Sequence, residues 1–485
     1  MRRKDKIGQI SFVAACLGMC ALPFAGTFFS PTDSTTENRE LAAFPAIMEE
    51  GEWNFNFLQE MGVYFGDHFA FRQELVSVDA LIQSKVFGVS NAESVTVGKN
   101  GWLYYSSTTD DYLGRNLMSE RSLFNAAHNL SLVQQYVQEQ GASFVFTVAP
   151  NKNSLYGKDM PYYLQKKAGN VRNMDVLRPM LKNHGVSYVD LFALFQAQED
   201  TLYLKRDSHW NKKGAVLAYD ALLRHIGVEH DDYETVKAVR QKDAYGDLNK
   251  MLYPLAAEPE WDYDFQKEDS FSYRTRTESV EDAWIETENP QGRGSLLMFR
   301  DSFGNTLLPL MANTFSKGYF SRGEPQNIGT LMETYRPDAV IIEKVERNVS
   351  EFAQNPPLLE GPEVDLEEKG FDGKKTASQE KETSSRAAGV LAEVAECKEN
   401  TAYWTVSGVL DEAYCAKDAR IYVEITDGGQ AVAREAFTVT TEESDYGYRL
   451  YLCKDKIFHG HVGIRIFAES GGELREVRAE NVELQ

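Results

Sequence analysis

The stretch SLLMFRDSFGNTLLPLM, residues 295–311, passes within one turn from an unbroken apolar run to a helical pattern. Residues 295–299 have the length and composition of a strand buried on both faces, and Leu307, Leu308, Leu310 and Met311 mark the apolar face of a helix. Between them lies the polar turn Arg300-Asp301-Ser302-Phe303-Gly304-Asn305. A turn at the carboxyl end of a strand sits on the edge where α/β sheets bind ligands. Ser302 therefore stands beside a helix N-terminus, whose N–H groups suit a developing oxyanion, and Gly304 lets backbone approach a substrate. A plainer reading is also open, in which Asp301 or Ser302 is only the helix cap.

The same alternation continues on either side. An amphipathic helix is expected over 123–140 and a buried strand over 143–148, closed by Ala149-Pro150. Helix 171–183, strand 186–191 and helix 211–226 follow, the last with Ala215, Leu217, Ala218 and Leu222 on one face. Beyond the turn come helix 306–315 and strands 317–321 and 339–345. Apolar strands separated by helices predict an α/β fold with a mostly parallel sheet covered on both faces. Upstream, 58–87 has helical spacing interrupted at Arg72, as one helix or two, and 95–104 reads as a hairpin turning at Lys99-Asn100-Gly101.

Residues 240–293 break the rhythm, being rich in acids and aromatics. They read either as a lid or binding insertion or as an irregular surface excursion. The α/β unit is taken as 30–350, followed by a polar linker over 351–388. Five or six short strands over 389–485 predict a small C-terminal antiparallel β-sandwich. Its Tyr403, Trp404, Tyr446, Tyr448 and Tyr451 suit either sugar stacking or a core.

Composition narrows the setting. The 485 residues carry 51 Lys+Arg against 73 Asp+Glu, a net charge of −22, which repels phosphate backbones and argues against nucleic acid as a partner. Arg2, Arg3, Lys4 and Lys6 precede an apolar stretch, so 1–29 reads as an export signal, either an uncleaved anchor or a cleaved peptide, with the body outside the cytoplasmic membrane. Cys397, Cys415 and Cys453 are an odd set without a CxxC pair, so no structural zinc is expected.

The second polar signature is Asp207-Ser208-His209-Trp210, placed just before the 211–226 helix. In an Asp-x-His order the imidazole leans on the carboxylate within one loop, which fixes its tautomer and raises its basicity. With Ser302 the chain thus holds an acid, a base and a nucleophile. Asp-x-His also supplies metal ligands, but His184, His225 and His230 lack ligand-like spacing and His459-Gly460-His461 is remote. No metal and no cofactor are expected.

Leu204 through Asn211 with Gly214-Ala215 resembles the signature of the DHHW proteins, alginate O-acetyltransferase-like members of the SGNH hydrolase superfamily. Val148-Ala149-Pro150-Asn151-Lys152 with Leu155-Tyr156, Arg300 through Asn305, and Arg336-Pro337-Asp338 leading to Glu343 through Asn348 extend the resemblance, as do Asn38 through Ala42 with Phe44-Pro45. It implies an SGNH-like three-layer sandwich and an envelope protein handling acetyl esters on an exported polysaccharide. Ser302 matches the family nucleophile, His209 its base and Asp207 the carboxylate behind the base. The implied partners are a polysaccharide acceptor and a membrane-embedded acyltransferase that passes acetyl groups across. Two departures stand out: Ser208 replaces the second residue of the DHHW name, and Arg300 replaces the glycine that precedes Asp-Ser in many superfamily members. The separate oxyanion glycine and asparagine have no counterpart, and Asn305, Asn151, Lys152 and Arg322 are the substitutes considered. An O-acetyltransferase is the leading expectation, beside a carbohydrate acetylesterase and a non-catalytic polysaccharide-binding or assembly protein.

Overall fold

The computed structural model describes residues 3–26, 41–49, 51–167, 169, 171–233, 236–371, 392–412, 415–456 and 461–483. The helices that matter are α1 (Arg3–Gly26), α2 (Phe57–His68), α3 (Arg72–Ile82), α4 (Glu120–Glu139), α5 (Asn173–Asn183), α6 (Lys212–His225), α7 (Asp247–Leu252) and α8 (Gly304–Thr314). The first nine strands are β1 (Ser143–Ala149), β2 (Tyr188–Val189), β3 (Val239–Ala244), β4 (Glu260–Asp264), β5 (Ser272–Tyr273), β6 (Trp284–Glu288), β7 (Ser295–Phe299), β8 (Lys317–Ser321) and β9 (Ala339–Val345).

One sheet runs in the order β2-β1-β9-β7-β8-β6-β5. The five strands from β2 to β8 are parallel, and β6 and β5 extend the edge antiparallel. Side chains alternate along β7 as a pleated strand requires. Leu296 and Met298 pack under α6 and α8 with Leu222, Leu307, Leu308 and Met311, while Leu297 and Phe299 pack under α4 and α5 with Leu130, Val133, Leu177 and Leu181. All seven residues of β9 are buried, which explains why the sequence shows an apolar run rather than an alternation. The expected three-layer α/β arrangement is present, with Pro150, Arg300 and Glu346 following the carboxyl ends of three neighbouring parallel strands.

The C-terminal strands are β10 (Glu363–Val364), β11 (Glu393–Glu396), β12 (Tyr403–Val409), β13 (Arg420–Asp427), β14 (Gln430–Val439), β15 (Gly447–Cys453), β16 (His461–Ser470) and β17 (Glu473–Glu483). They pair antiparallel in the order β11-β12-β15-β14-β13-β16-β17, with β10 beside β14. The long strand β14 joins the two halves, and Val406, Leu450 and Leu452 of one half share a core with Ile421, Val423, Ile464 and Ile466 of the other. Tyr403, Tyr446, Tyr448 and Tyr451 are buried, so they build core rather than a sugar platform. Trp404 is half-buried under the Lys454 ammonium.

The structure corrects the linker bounds and decides between the alternatives left open for two other segments. The 351–388 linker is packed over its first part: 351–354 is helical, Phe352, Ala353, Leu358 and Leu359 are buried, and β10 pairs with β14. Its polar composition belongs to 372–391, which lies outside the described residues. The 240–293 segment is no irregular excursion, since it folds into the β3–β4 hairpin, α7 and the edge strands β5 and β6. The helical stretch after residue 57 is two helices, broken where Phe71 takes a left-handed φ of 62°. Part of the expected 1–29 anchor forms α1, and among the described residues no helix is long and apolar enough to cross a membrane.

The sandwich docks on α4 through Asn129, which is fully buried. Its amide donates to the carbonyls of Phe352 (2.7 Å) and Thr438 (2.8 Å) and accepts the Thr438 N–H (3.0 Å), so one side chain replaces a strand partner. Asn129→Ala leaves these backbone groups unsatisfied and is expected to cost on the order of 3 kcal/mol in urea unfolding. An unchanged midpoint would refute this account of the junction.

Candidate active site

The polar turn after β7 is closed by Asp301, not Ser302. Asp301 Oδ1 accepts the Phe303 N–H (2.8 Å) and Oδ2 accepts the Val345 N–H at the end of β9 (2.6 Å). The aspartate thus braces the turn against β9. Neither residue caps α8, whose N-cap position is Phe303 without a side-chain cap, and the serine hydroxyl points elsewhere. Behind the turn Glu343 is buried, its Oε2 accepting the Asp301 N–H (3.2 Å), and burial together with the Asp301 charge holds its carboxyl well above the usual range. A Cβ on Gly304 would lie 2.6 Å from Arg300 Cβ and 3.0 Å from Glu343 Oε2. Only glycine fits there without displacing the turn.

Ser302 Oγ lies 2.8 Å from His209 Nε2, and His209 Nδ1 lies 2.6 Å from Asp207 Oδ1. Asp207 Oδ1 also accepts the His209 backbone N–H (2.8 Å), and Oδ2 accepts the Asp247 N–H (3.0 Å). With Nδ1–H donated to the carboxylate, Nε2 is left as the acceptor for the serine proton. Burial pushes the Asp207 carboxyl up, but the hydrogen bond and charge of His209 outweigh it and bring the group down to about 2. For His209 burial works against protonation, yet Asp207, Asp247 and Asp301 raise the imidazole above its ordinary value. The His209 side chain is 24% exposed, so solvent reaches the site.

The two signatures, 93 residues apart across the His209–Ser302 contact, meet through aromatic packing. Phe303 is buried with its ring 4.7 Å from that of His209 and 5.1 Å from Trp210, the latter edge-on. Trp210 Nε1 donates to Thr306 Oγ1 (2.8 Å) in the first turn of α8. Trp210, which follows His209, and Phe303, which follows Ser302, thus lock one loop onto the other, which explains why an aromatic stands directly after each of those two residues.

The expected oxyanion residues divide. Asn305 is at the turn, its Oδ1 accepting from Arg300 Nη1 (2.5 Å), which orients the amide and leaves Nδ2 as the donating end. Lys152 is not an oxyanion group. It is buried, and its ammonium donates to the carbonyls of Leu204 (3.2 Å), Lys205 (3.0 Å) and Asp207, stapling the loop that carries the acid. Burial brings that ammonium down to about 8 against the charges of Asp207 and Asp247. Asn151 is buried too, its N–H on Glu346 (2.7 Å) and its amide facing Asp111 (3.5 Å), away from the triad's hydrogen bonds. Arg322 donates to the Glu281 carbonyl (2.9 Å). Arg300, the departure from the family pattern, is buried and donates to the carbonyls of Val280 (2.7 Å) and Asp282 (3.4 Å). Both arginines bolt the end of the insertion to the sheet edge.

Sequence reading missed Asp247. It opens α7 inside the insertion, and its Oδ2 lies 3.7 Å from His209 Nδ1. No spacing rule links it to Asp207, 40 residues earlier; only the acid-rich character of 240–293 hinted at it. Asp207, His209 and Asp247 bring one ligand-type atom each within 4.8 Å of one another, a third donor that the histidine spacings did not supply. In this arrangement those atoms already hydrogen-bond within the relay.

Residues 95–291 match the family described as "ALGX: SGNH hydrolase-like domain, acetyltransferase AlgX". The segment is 197 of 485 residues, includes Asp207, His209 and Asp247, and stops short of Ser302. The resemblance read from the sequence is thereby shown for this part of the chain. None of the curated proteins matches it in sequence. Among solved structures, PatB1 of Bacillus cereus is 17% identical with a TM-score of 0.43, covering 52% of this chain and 97% of its own. A DHHW family protein of Eubacterium siraeum is 16% identical, TM-score 0.38, over 48% and 90%. AlgX of Pseudomonas aeruginosa is 13% identical, TM-score 0.34, over 73% and 85%.

Proposed function

We propose that the chain is an extracytoplasmic O-acetyltransferase that acylates Ser302 and passes the acetyl group to a hydroxyl of an exported or cell-envelope polysaccharide. The observation that carries this reading is the unbroken line from Asp207 through His209 to Ser302, at 2.6 and 2.8 Å. The acetyltransferase description of the matching family supports the reaction class. His209 Nε2 takes the Ser302 proton as Oγ attacks the acetyl carbonyl, and Asp207 stabilises the resulting imidazolium. The donor's leaving oxygen collects that proton and departs, leaving the acyl-serine. A sugar hydroxyl then gives its proton to His209 and attacks the acyl carbon. His209 Nε2 returns that proton to Ser302 Oγ as the acyl–oxygen bond breaks, which restores the free serine and the neutral base. The N–H groups opening α8 and Asn305 Nδ2 are the proposed oxyanion donors; the Phe303 N–H is spent on Asp301. In this scheme the N-terminal segment holds the body at the outer face of the membrane and a membrane-embedded acyltransferase supplies the acetyl group.

Acetylesterase activity is the second reading, favoured by the exposure of His209, since water that reaches the base competes with a sugar. The burial of four sandwich tyrosines leaves Trp404 alone of the five aromatics on which the non-catalytic sugar-binding reading rested. Treatment with an aryl sulfonyl fluoride is expected to modify Ser302, located by peptide mass spectrometry; modification elsewhere with Ser302 untouched would reject the scheme. Acetylated donor with and without oligosaccharide then separates transfer from hydrolysis. Because His209 must be neutral to accept the proton and its pKa is raised, activity is expected to climb with pH through a midpoint above the ordinary imidazole value of about 6.5.

A further inference from the structure

Asp247 reaches the base by two routes. Its Oδ2 accepts the Ser208 hydroxyl (2.5 Å), and Ser208 Oγ lies 3.2 Å from His209 Nδ1, its lone pairs facing the imidazole once its proton is given to Asp247. The direct separation from Asp247 Oδ2 to Nδ1 is 3.7 Å. The other oxygen accepts the N–H groups of Ser208 (2.7 Å) and Leu248 (2.6 Å), and the Asp247 N–H returns to Asp207 Oδ2 (3.0 Å). Position is fixed from behind: Asn249 N–H donates to the Arg206 carbonyl (2.9 Å), and a Cβ on Gly246 would fall 2.2 Å from that same oxygen. Such close backbone contact makes the start of α7 part of the base's loop and not a movable flap.

We infer that Asp247 is a positioning residue for His209, forming with Ser208 a second hydrogen-bonded arm on Nδ1 beside Asp207. The Ser208 hydroxyl bridges the arm, so the family-variant residue of the signature has a task in this chain. When Asp207 cannot accept the Nδ1 proton, the Ser208–Asp247 arm accepts it, and the imidazole keeps its working tautomer. The inference rests on His209 being the base of the proposed reaction. The charged groups facing His209 are Asp207 in its own loop, Asp247 on α7 and Asp301 on the nucleophile turn; Lys152 and Glu260 flank the loop from behind.

The test uses p-nitrophenyl acetate with wild type, Asp247→Asn, Ser208→Ala, Asp207→Asn and the double variant Asp207→Asn with Asp247→Asn. Asp247→Asn is expected to lower kcat about tenfold at unchanged KM and to move the acid limb of kcat/KM to lower pH, because one of the charges raising the His209 pKa is gone. Asp207→Asn alone is expected to stay at least tenfold more active than the double variant. Wild-type rate and pH profile in Asp247→Asn, or equal rates for Asp207→Asn and the double variant, would overturn the inference. Thermal unfolding identifies variants that merely misfold. Independently of turnover, NMR titration of the His209 ring in Ser302→Ala with and without Asp247→Asn, or with Ser208→Ala in its place if Asp247→Asn does not fold, reads the same arm: a lowered midpoint upholds it, an unmoved one refutes it. Full turnover by Ser302→Ala would instead sink the proposed function while leaving the NMR readout valid.

Discussion

Ser302→Ala is expected to lower acetyl transfer by about 10⁴-fold or more and to abolish labelling by a sulfonyl fluoride, while the protein keeps its folded stability. The rate loss is large because covalent catalysis has no substitute once the oxygen is removed: Asn305 and the opening of α8 still polarise a carbonyl, but nothing accepts the acyl group. Stability is spared because the lost hydrogen bond, Ser302 Oγ to His209 Nε2 at 2.8 Å, sits at a partly solvated site where water replaces it. His209→Ala is expected to cost about as much, since nucleophile and base act as one unit. Comparison of initial rates on a soluble acetyl donor checks both. Turnover near wild type in either variant would remove the triad from the mechanism.

The second large effect falls on stability. Trp210 is 1% exposed, packs edge-on against Phe303 with ring centres 5.1 Å apart and against Phe195 at 6.0 Å, and donates its indole N–H to Thr306. Trp210→Ala empties that space between the two signatures and is expected to cost about 3–5 kcal/mol in denaturant unfolding. Trp210→Phe keeps most of the apolar bulk and loses mainly the hydrogen bond, so a smaller cost of about 1–2 kcal/mol is expected. If the two variants lose equal stability, packing is not what joins the loops. Activity should fall with Trp210→Ala even where the fold survives, because the contact that brings the base to the nucleophile is gone.

The sheet and the turn that carries Ser302 were legible because they are written in local chemistry. A strand buried on both faces must be an apolar run, and the 295–311 stretch turns from such a run to a helical face in six residues. His209 and Asp207 share a tripeptide, so their contact needs no long-range knowledge. What escaped was set by partners distant in the chain. Lys152 follows Pro150 and Asn151 at the end of β1 and looked like a donor aimed at substrate, yet three carbonyls from 204–207 use its ammonium. Arg300 looked like a defect in the signature, yet its guanidinium clasps carbonyls 18 to 20 residues upstream. Asp247 comes from a segment with no periodicity to read. The 351–371 stretch looked like linker because its buried apolar residues, among them Phe352, Leu358 and Leu359, carry no period and are covered by distant parts of the chain, Phe352 by Phe146 of β1.

The edge strands drawn from the insertion carry one further consequence, for solubility. Without β6 and β5, the parallel strand β8 would form the border of the sheet. Four of its five residues, Gly318 through Ser321, are buried, so that border would be a bare row of amide and carbonyl groups flanked by Tyr319 and Phe320. A bare apolar edge of this kind recruits other strands. A chain with this segment looped out would lose Asp247 and would also gain a sticky margin, and its failure would show first as aggregates.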